Sequence, residues 1–165
     1  MRGEAQPSEP PSGTVAALKA RAFPRWFPAP LVLVAEDNPV NQVVALRILE
    51  RGGFHAEVAA NGIEALAMLS ARRYDAILMD CQMPQMDGYE TTVILRRREN
   101  GTRRTPIIAL TAHAMKGDRE RCLDAGMDDY LSKPIRRDVL IETLRRWLPP
   151  ENIAAQGERF RSQAG

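Results

Sequence analysis

The chain has 165 residues, 44% of them apolar, which suits one domain around one hydrophobic core. Its 23 basic and 21 acidic residues leave a formal charge of +2, and residues 31–150 hold 17 of each sign, so no general electrostatic pull toward nucleic acid or a membrane surface is expected. Cys81 and Cys122 lie far apart with no C-x-x-C pair, which argues against a zinc site or a disulfide framework and suits a reducing, cytoplasmic setting.

Residues 1–30 are rich in Pro, Ser, Ala and Gly, with isolated aromatics at Phe23, Trp26 and Phe27, and read as a linker or disordered arm. No apolar run approaches the roughly 18 to 20 residues of a membrane helix, and prolines stand where a signal peptide would be apolar. Leu31 to Ala35 is an unbroken apolar run, the mark of a strand covered on both faces. A helix is predicted from Pro39, a first-turn proline after Asn38; Val40, Val44 and Ile48 follow at spacing four until Gly52 and Gly53 stop it. Phe54 to Ala59 alternates, as an edge strand does. Asn61 can cap the next helix, with Ala65, Leu66 and Leu69 inward.

Ala76 to Met79 is a second central strand, and Asp87 can cap a helix that reaches Arg96. Ile107 to Leu110 is a third unbroken strand. The helix from Met115 to Ala125 is weakly apolar, with Met115, Cys122 and Leu123 inward and Arg119, Glu120 and Arg121 outward, so its outer face is a candidate partner surface. Asp128 to Leu131 is a short, half-polar edge strand. The last helix, Arg136 to Leu148, shows Val139, Leu140, Thr143, Leu144, Trp147 and Leu148 on one stripe. Pro149 and Pro150 end it, and residues 149–165 read as a tail to a domain spanning 31–148. Five strands each followed by a helix make an α/β sandwich around a parallel sheet, because parallel neighbours require crossover helices.

Functional residues of an open parallel sheet gather beyond the carboxyl ends of its strands. Here the first strand ends in Glu36-Asp37, the third in Asp80 and the fourth in Thr111, while Lys133-Pro134 follows the fifth. Converging carboxylates repel by about 4 kcal/mol per pair at 4 Å and an effective dielectric near 20, so a cation belongs among them. Oxygen ligands with room for water and phosphate favour Mg²⁺. Asp37, Asp80 and the backbone carbonyl of Gln82 are expected to bind it directly, and Glu36 through water. Asp80 is then an oxygen nucleophile toward phosphorus, Lys133 a point charge that can pair with Asp80 and then follow the phosphoryl oxygens, and Thr111 a hydroxyl donor to them.

These stretches resemble response-regulator receiver domains. The likeness is carried by Val34-Ala35-Glu36-Asp37-Asn38, Ile77-Leu78-Met79-Asp80, Met83-Pro84-Gln85-Met86-Asp87-Gly88, Ala109-Leu110-Thr111-Ala112 and Tyr130-Leu131-Ser132-Lys133-Pro134, with gaps of 43, 31 and 22 residues between Asp37, Asp80, Thr111 and Lys133. Asp37-Asn38-Pro39-Val40-Asn41-Gln42 and Thr111-Ala112-His113-Ala114-Met115 further resemble the receivers of hybrid histidine kinases. The resemblance implies a CheY-like or flavodoxin-like doubly wound (βα)5 fold with strand order 2-1-3-4-5. It implies phosphorylation of Asp80 by a histidine kinase or histidine phosphotransfer protein, and output through protein contacts on the face of the fourth helix, fifth strand and fifth helix. Tyr130 would turn inward as Thr111 moves, the Ala112 backbone would contact the phosphoryl group, and Lys133-Pro134 would be a cis peptide.

Other residues have blander readings. His55 reads as a solvated edge-strand residue, His113 as a surface group near the site mouth, and Cys81 as a small core residue pointing away from the acids. Arg96-Arg97-Arg98 with Arg103-Arg104 reads as a solvated helix end rather than a nucleic-acid surface. Two other functions compete with a non-enzymatic signalling role. A Mg²⁺-dependent aspartyl-phosphate hydrolase would need a general acid close after its nucleophile, and Cys81-Gln82 supplies none. A non-phosphorylated binding module of the same fold would have no reason to hold repelling acids together.

Overall fold

A computed structural model describes residues 29–113 and 115–148. The linker expected over 1–30, except its last two residues, and the tail expected over 149–165 lie outside the described residues. Five parallel strands alternate with five helices: β1 (Leu31–Ala35), α1 (Pro39–Arg51), β2 (His55–Ala59), α2 (Gly62–Ala71), β3 (Ala76–Asp80), α3 (Gly88–Glu99), β4 (Ile107–Thr111), α4 (Lys116–Ala125), β5 (Asp129–Ser132) and α5 (Arg137–Trp147). The sheet order is β2-β1-β3-β4-β5, the doubly wound (βα)5 arrangement expected.

Strand periodicity builds two half-cores. Val32, Val34, Leu78, Ile108 and Leu110 point to one face, where Ala45, Leu46 and Leu49 of α1 and Leu140, Ile141 and Leu144 of α5 cover them. Leu33, Ala35, Ile77, Met79, Ile107 and Ala109 point to the other, against Ala65 and Leu66 of α2, Leu95 of α3 and Cys122 of α4. Both faces of the central strands are therefore dry, which is why their sequences show no polar alternation.

Caps fix where the helices start. Asn38 Oδ1 accepts from the Val40 amide at 2.9 Å, Asn61 Oδ1 accepts from the Glu64 amide at 2.8 Å, and Asp87 with Glu90 forms a reciprocal capping box. Gly88 opens α3 directly above the end of β3: a Cβ there would lie 2.2 Å from the carbonyl oxygen of Asp80. The Lys133-Pro134 peptide is cis.

Helix faces differ from the sequence reading in several places. In α1 the buried stripe is Gln42, Ala45, Leu46 and Leu49, an i, i+3, i+4, i+7 set, while Val40 and Val44 are 69% and 40% exposed. A row at constant spacing four winds around the helix, so only Ile48 of the predicted row reaches the core. In α4 Cys122 is buried, but Met115, at the N-cap, and Leu123 face solvent. In α5 Val139 and Trp147 stand at the edge of the stripe and Ile141 takes the inward place; the Trp147 indole donates to Asp129 Oδ2 at 2.9 Å, a polar partner that holds it at the rim. His55 is half-buried, with its amide donating to the Pro30 carbonyl, and burial lowers its imidazole below the ordinary value.

Candidate functional site

Sheet register assembles the site. Ala35 pairs with Met79, so the next residues, Glu36 and Asp80, are level at the carboxyl ends of the two central strands. The ladder continues one residue past the strands, with Glu36 N–H donating to Ala59, Cys81 N–H to Leu110 and Lys133 N–H to Thr111. Lys133 is thus delivered to the same end of the sheet from β5, on the far side of Thr111. Glu36, Asp37 and Asp80 offer carboxylate oxygens that all lie within 4.8 Å of one another.

Lys133 Nζ stands 2.9 Å from Asp80 Oδ2 and 2.8 Å from Glu36 Oε2. The second contact is an ion pair without hydrogen-bond geometry, which leaves Glu36 Oε2 buried and without a hydrogen-bond donor. Glu36 Oε1 accepts from the Asn38 amide at 3.1 Å and from Asn41 Nδ2 at 3.3 Å, and the Gln42 side chain donates to the Glu36 carbonyl at 2.6 Å. The sequence reading foresaw the Lys133 and Asp80 pair but not the one with Glu36, nor the α1 amides that hold it. The tandem polar residues Asn38, Asn41 and Gln42, on the first turn of a helix next to an acid, were the signal.

Burial pushes the Asp80 carboxyl above its ordinary value, against the opposing hydrogen bonds from Lys133 and from the Gln82 amide, which donates to Asp80 Oδ1 at 3.0 Å. Burial also works against the Lys133 charge, but the close contacts with the Glu36 and Asp80 carboxylates outweigh it and raise the ammonium above its ordinary value. Three carboxylates against one ammonium leave local charge uncompensated, and Glu36 Oε2 still lacks a donor. That donor set, oxygen-only and open toward Asp37, fits a hard divalent cation.

Above the acids lies an open cleft of about 550 Å³, lined by Asp37, Gln82, Thr111 and Ala112 among others. Thr111 is buried, and its hydroxyl donates to the His113 carbonyl at 2.8 Å while accepting from the His113 amide at 3.2 Å. Tyr130 is half-buried on β5, with the Arg119 guanidinium 5.7 Å from its ring centre. The chain matches the description "Response regulator receiver domain" over residues 32–145. It belongs to that family. This receiver domain is 49% identical over 121 residues to the hybrid signal transduction protein dokA of Dictyostelium discoideum, and 40% identical over 121 residues to the sensor histidine kinase GacS of Pseudomonas protegens. Those matches cover 73% and 72% of this chain but 7% and 13% of the two relatives.

Among solved structures, the receiver domain resembles that of a sensor histidine kinase from Pseudomonas aeruginosa PAO1, which has a magnesium ion coordinated in its active-site cleft. The identity is 51% and the TM-score 0.67, over 72% of this chain and 97% of that one. It also resembles a receiver domain of Saccharomyces cerevisiae crystallised with its histidine phosphotransfer protein, at 30% identity and a TM-score of 0.67 over 74% of this chain and 91% of that one. The chain is thus a receiver domain of phosphorelay-type two-component signalling, like those of hybrid histidine kinases. Among the described residues no helix is long and apolar enough to cross a membrane.

Sequence reading missed Tyr89, Asp118 and Arg121 on the cleft wall; His113, read as a group near the site mouth, lines it as well, and so does Cys81. Cys81 is buried, with its sulfur 3.8 Å from that of Cys122, and burial pushes its thiol up to about 12, so it is an inert packing residue. Tyr89 and Arg121 come from different helices, and no spacing rule links them.

Proposed function

We propose that Asp80 accepts a phosphoryl group from a phosphohistidine donor, a histidine kinase or a histidine phosphotransfer protein, and that this shifts the α4, β5 and α5 face between two partner-binding states. The observation that supports this most directly is the meeting of Glu36, Asp37 and Asp80 oxygens within 4.8 Å with Lys133 touching two of them. Asp37, Asp80, the Gln82 carbonyl and, through water, Glu36 would hold Mg²⁺, which supplies charge neutralisation for the phosphoryl oxygens.

An Asp80 carboxylate oxygen attacks phosphorus in line; the new P–O bond forms as the P–N bond breaks, and the donor imidazole keeps the electron pair. The Gln82 amide, which reaches Asp80 Oδ1, fixes the carboxylate plane and leaves the second oxygen against Lys133. Lys133 then follows the transferred charge, and the Ala112 backbone and the Thr111 hydroxyl, released from the His113 carbonyl, donate to phosphoryl oxygens. Withdrawal of Thr111 opens space for Tyr130. The α4 helix is the element best suited to respond, since Cys122 is its one buried side chain among the described residues.

Incubation with acetyl phosphate or phosphoramidate and Mg²⁺ should add one phosphoryl group, seen by intact mass, and Asp80→Asn should abolish it. An unmodified wild type under every donor would overturn the assignment and favour a pure binding module, and catalytic turnover of many donor equivalents would favour a hydrolase.

A further inference from the structure

Two side chains on the first turn of α1 turn back over the end of β1. Asn41 Nδ2 donates to Glu36 Oε1 at 3.3 Å, and the buried Gln42 amide donates to the Glu36 carbonyl at 2.6 Å. The Asn38 backbone amide is a second donor to the same Oε1, at 3.1 Å. On the other side of the carboxylate, Oε2 stands 2.8 Å from Lys133 Nζ and has no hydrogen-bond donor, although Glu36 is 1% exposed. Backbone and carboxylate are both fixed, with Oε1 turned into α1 and only Oε2 turned toward Asp80 and Lys133. A neutral amide that holds a carboxylate beside a cation site decides which oxygen that carboxylate can offer to the ion.

The number of oxygens offered matters to the choice of ion. Ca²⁺ takes about six to eight oxygen ligands and accepts a carboxylate through both oxygens, whereas Mg²⁺ holds octahedral geometry and keeps several waters. From these contacts we infer that Asn41 is a positioning residue that sets the cation preference of the site: by engaging Oε1 it denies Glu36 the two-oxygen mode, leaves it to act through water, and so favours Mg²⁺ over Ca²⁺. The inference rests on the reading that Asp37, Asp80 and the Gln82 carbonyl hold a divalent cation. It adds a selectivity that the acids alone do not supply, because oxygens of all three lie within 4.8 Å of one another and a freely turning Glu36 could close on a larger ion. Asn41 carries no charge, so its effect is separable from the net charge of the site. It is half-buried at a helix start, so it can be replaced without opening the core.

The test titrates the full chain with magnesium chloride and, separately, calcium chloride at constant ionic strength, and takes each dissociation constant from the amide shifts of Asp37, Asp80 and Gln82. Asn41→Leu, close in volume and without a donor, should lower the ratio of Mg²⁺ to Ca²⁺ affinity by about tenfold, the low end for a residue that holds a metal ligand. Asn41→Gln keeps an amide donor and should restore part of the preference. Asn61→Ala removes the side-chain cap of α2, which hydrogen-bonds none of the three acids, and should leave the ratio unchanged. In a Glu36→Gln background, Asn41→Leu should change the ratio no further, because the asparagine acts through that carboxylate. An unchanged ratio in Asn41→Leu, or an equal loss of both ions, would overturn the inference. So would a shift that persists in Glu36→Gln, or a ratio in Asn41→Gln as low as in Asn41→Leu. A wild type that binds neither ion would instead overturn the metal reading on which the inference rests. If Asn41→Leu does not fold, Asn41→Ala carries the same expectation.

Discussion

Replacing Lys133 by Met keeps an apolar stem of similar length and removes the cation that touches both Glu36 and Asp80. At 2.8 and 2.9 Å, each contact is worth about 6 kcal/mol gross at an effective dielectric near 20. Much of that offsets the desolvation of a side chain that is only 21% exposed, and the carboxylates left behind have side chains just 1% and 6% exposed. The net cost is about 3 kcal/mol, the low end for removing one partner of a buried pair, against a total domain stability of about 5 to 15 kcal/mol. In urea at pH 7 with EDTA, the unfolding midpoint should fall by about 2 M for a slope near 1.5 kcal/mol per M.

The same variant should show a pH signature. Burial raises the Asp80 carboxyl even with Lys133 present, and without Lys133 it rises further. A carboxyl raised in the folded state contributes stability that is complete below its unfolded value and is lost as pH climbs through the folded one. The Lys133 ammonium, also raised, keeps its contribution up to the ordinary lysine range and loses it only as pH passes the folded value. The deficit of Lys133→Met should therefore shrink as pH falls from 7 through the raised Asp80 range. A midpoint within about 0.3 M of wild type at pH 7, or a deficit that grows on acidification, would refute the account.

Gly88→Ala would place its Cβ 2.2 Å from the Asp80 carbonyl oxygen and should cost about 2 to 3 kcal/mol in thermal or urea unfolding; an unchanged midpoint would show that α3 does not press on β3 as described. Gly126 has φ of +102° and an ideal Cβ 2.9 Å from Arg96 Cγ, so Gly126→Ala should lose about 1 to 2 kcal/mol, and a neutral result would mean the turn relaxes freely. Mg²⁺ at a hundredfold excess over its dissociation constant should stabilise wild type by about 2.7 kcal/mol, and Asp37→Asn should lose most of that gain at the same concentration; equal stabilisation would remove Asp37 from the ligand set.

Much of the site was legible because each residue stands at a strand end, and a parallel α/β sheet sends strand ends to one edge. Asp80, Thr111 and Lys133 needed only strand boundaries to be placed together, and unbroken apolar runs such as Ala76 to Met79 mark those boundaries sharply. Helix faces were less legible. In α1 a β-branched row at spacing four looked like the core stripe, yet Gln42 is buried because its amide reaches the Glu36 carbonyl, a partner that hydropathy does not record.

The order of apolar runs, caps and polar strand ends therefore determined by itself that this chain forms an α/β sandwich around a parallel sheet with an acidic site at the sheet's carboxyl edge, because those features depend on local periodicity and on the crossover rule alone, while the strand order came from the family resemblance. Only the tertiary structure decided that Lys133 reaches Glu36 as well as Asp80, that α4 rests on one buried cysteine, and that Arg121 lies across Tyr89 at the cleft mouth. Those contacts join residues from separate helices and strands, and their geometry follows from how the layers pack rather than from any spacing along the chain.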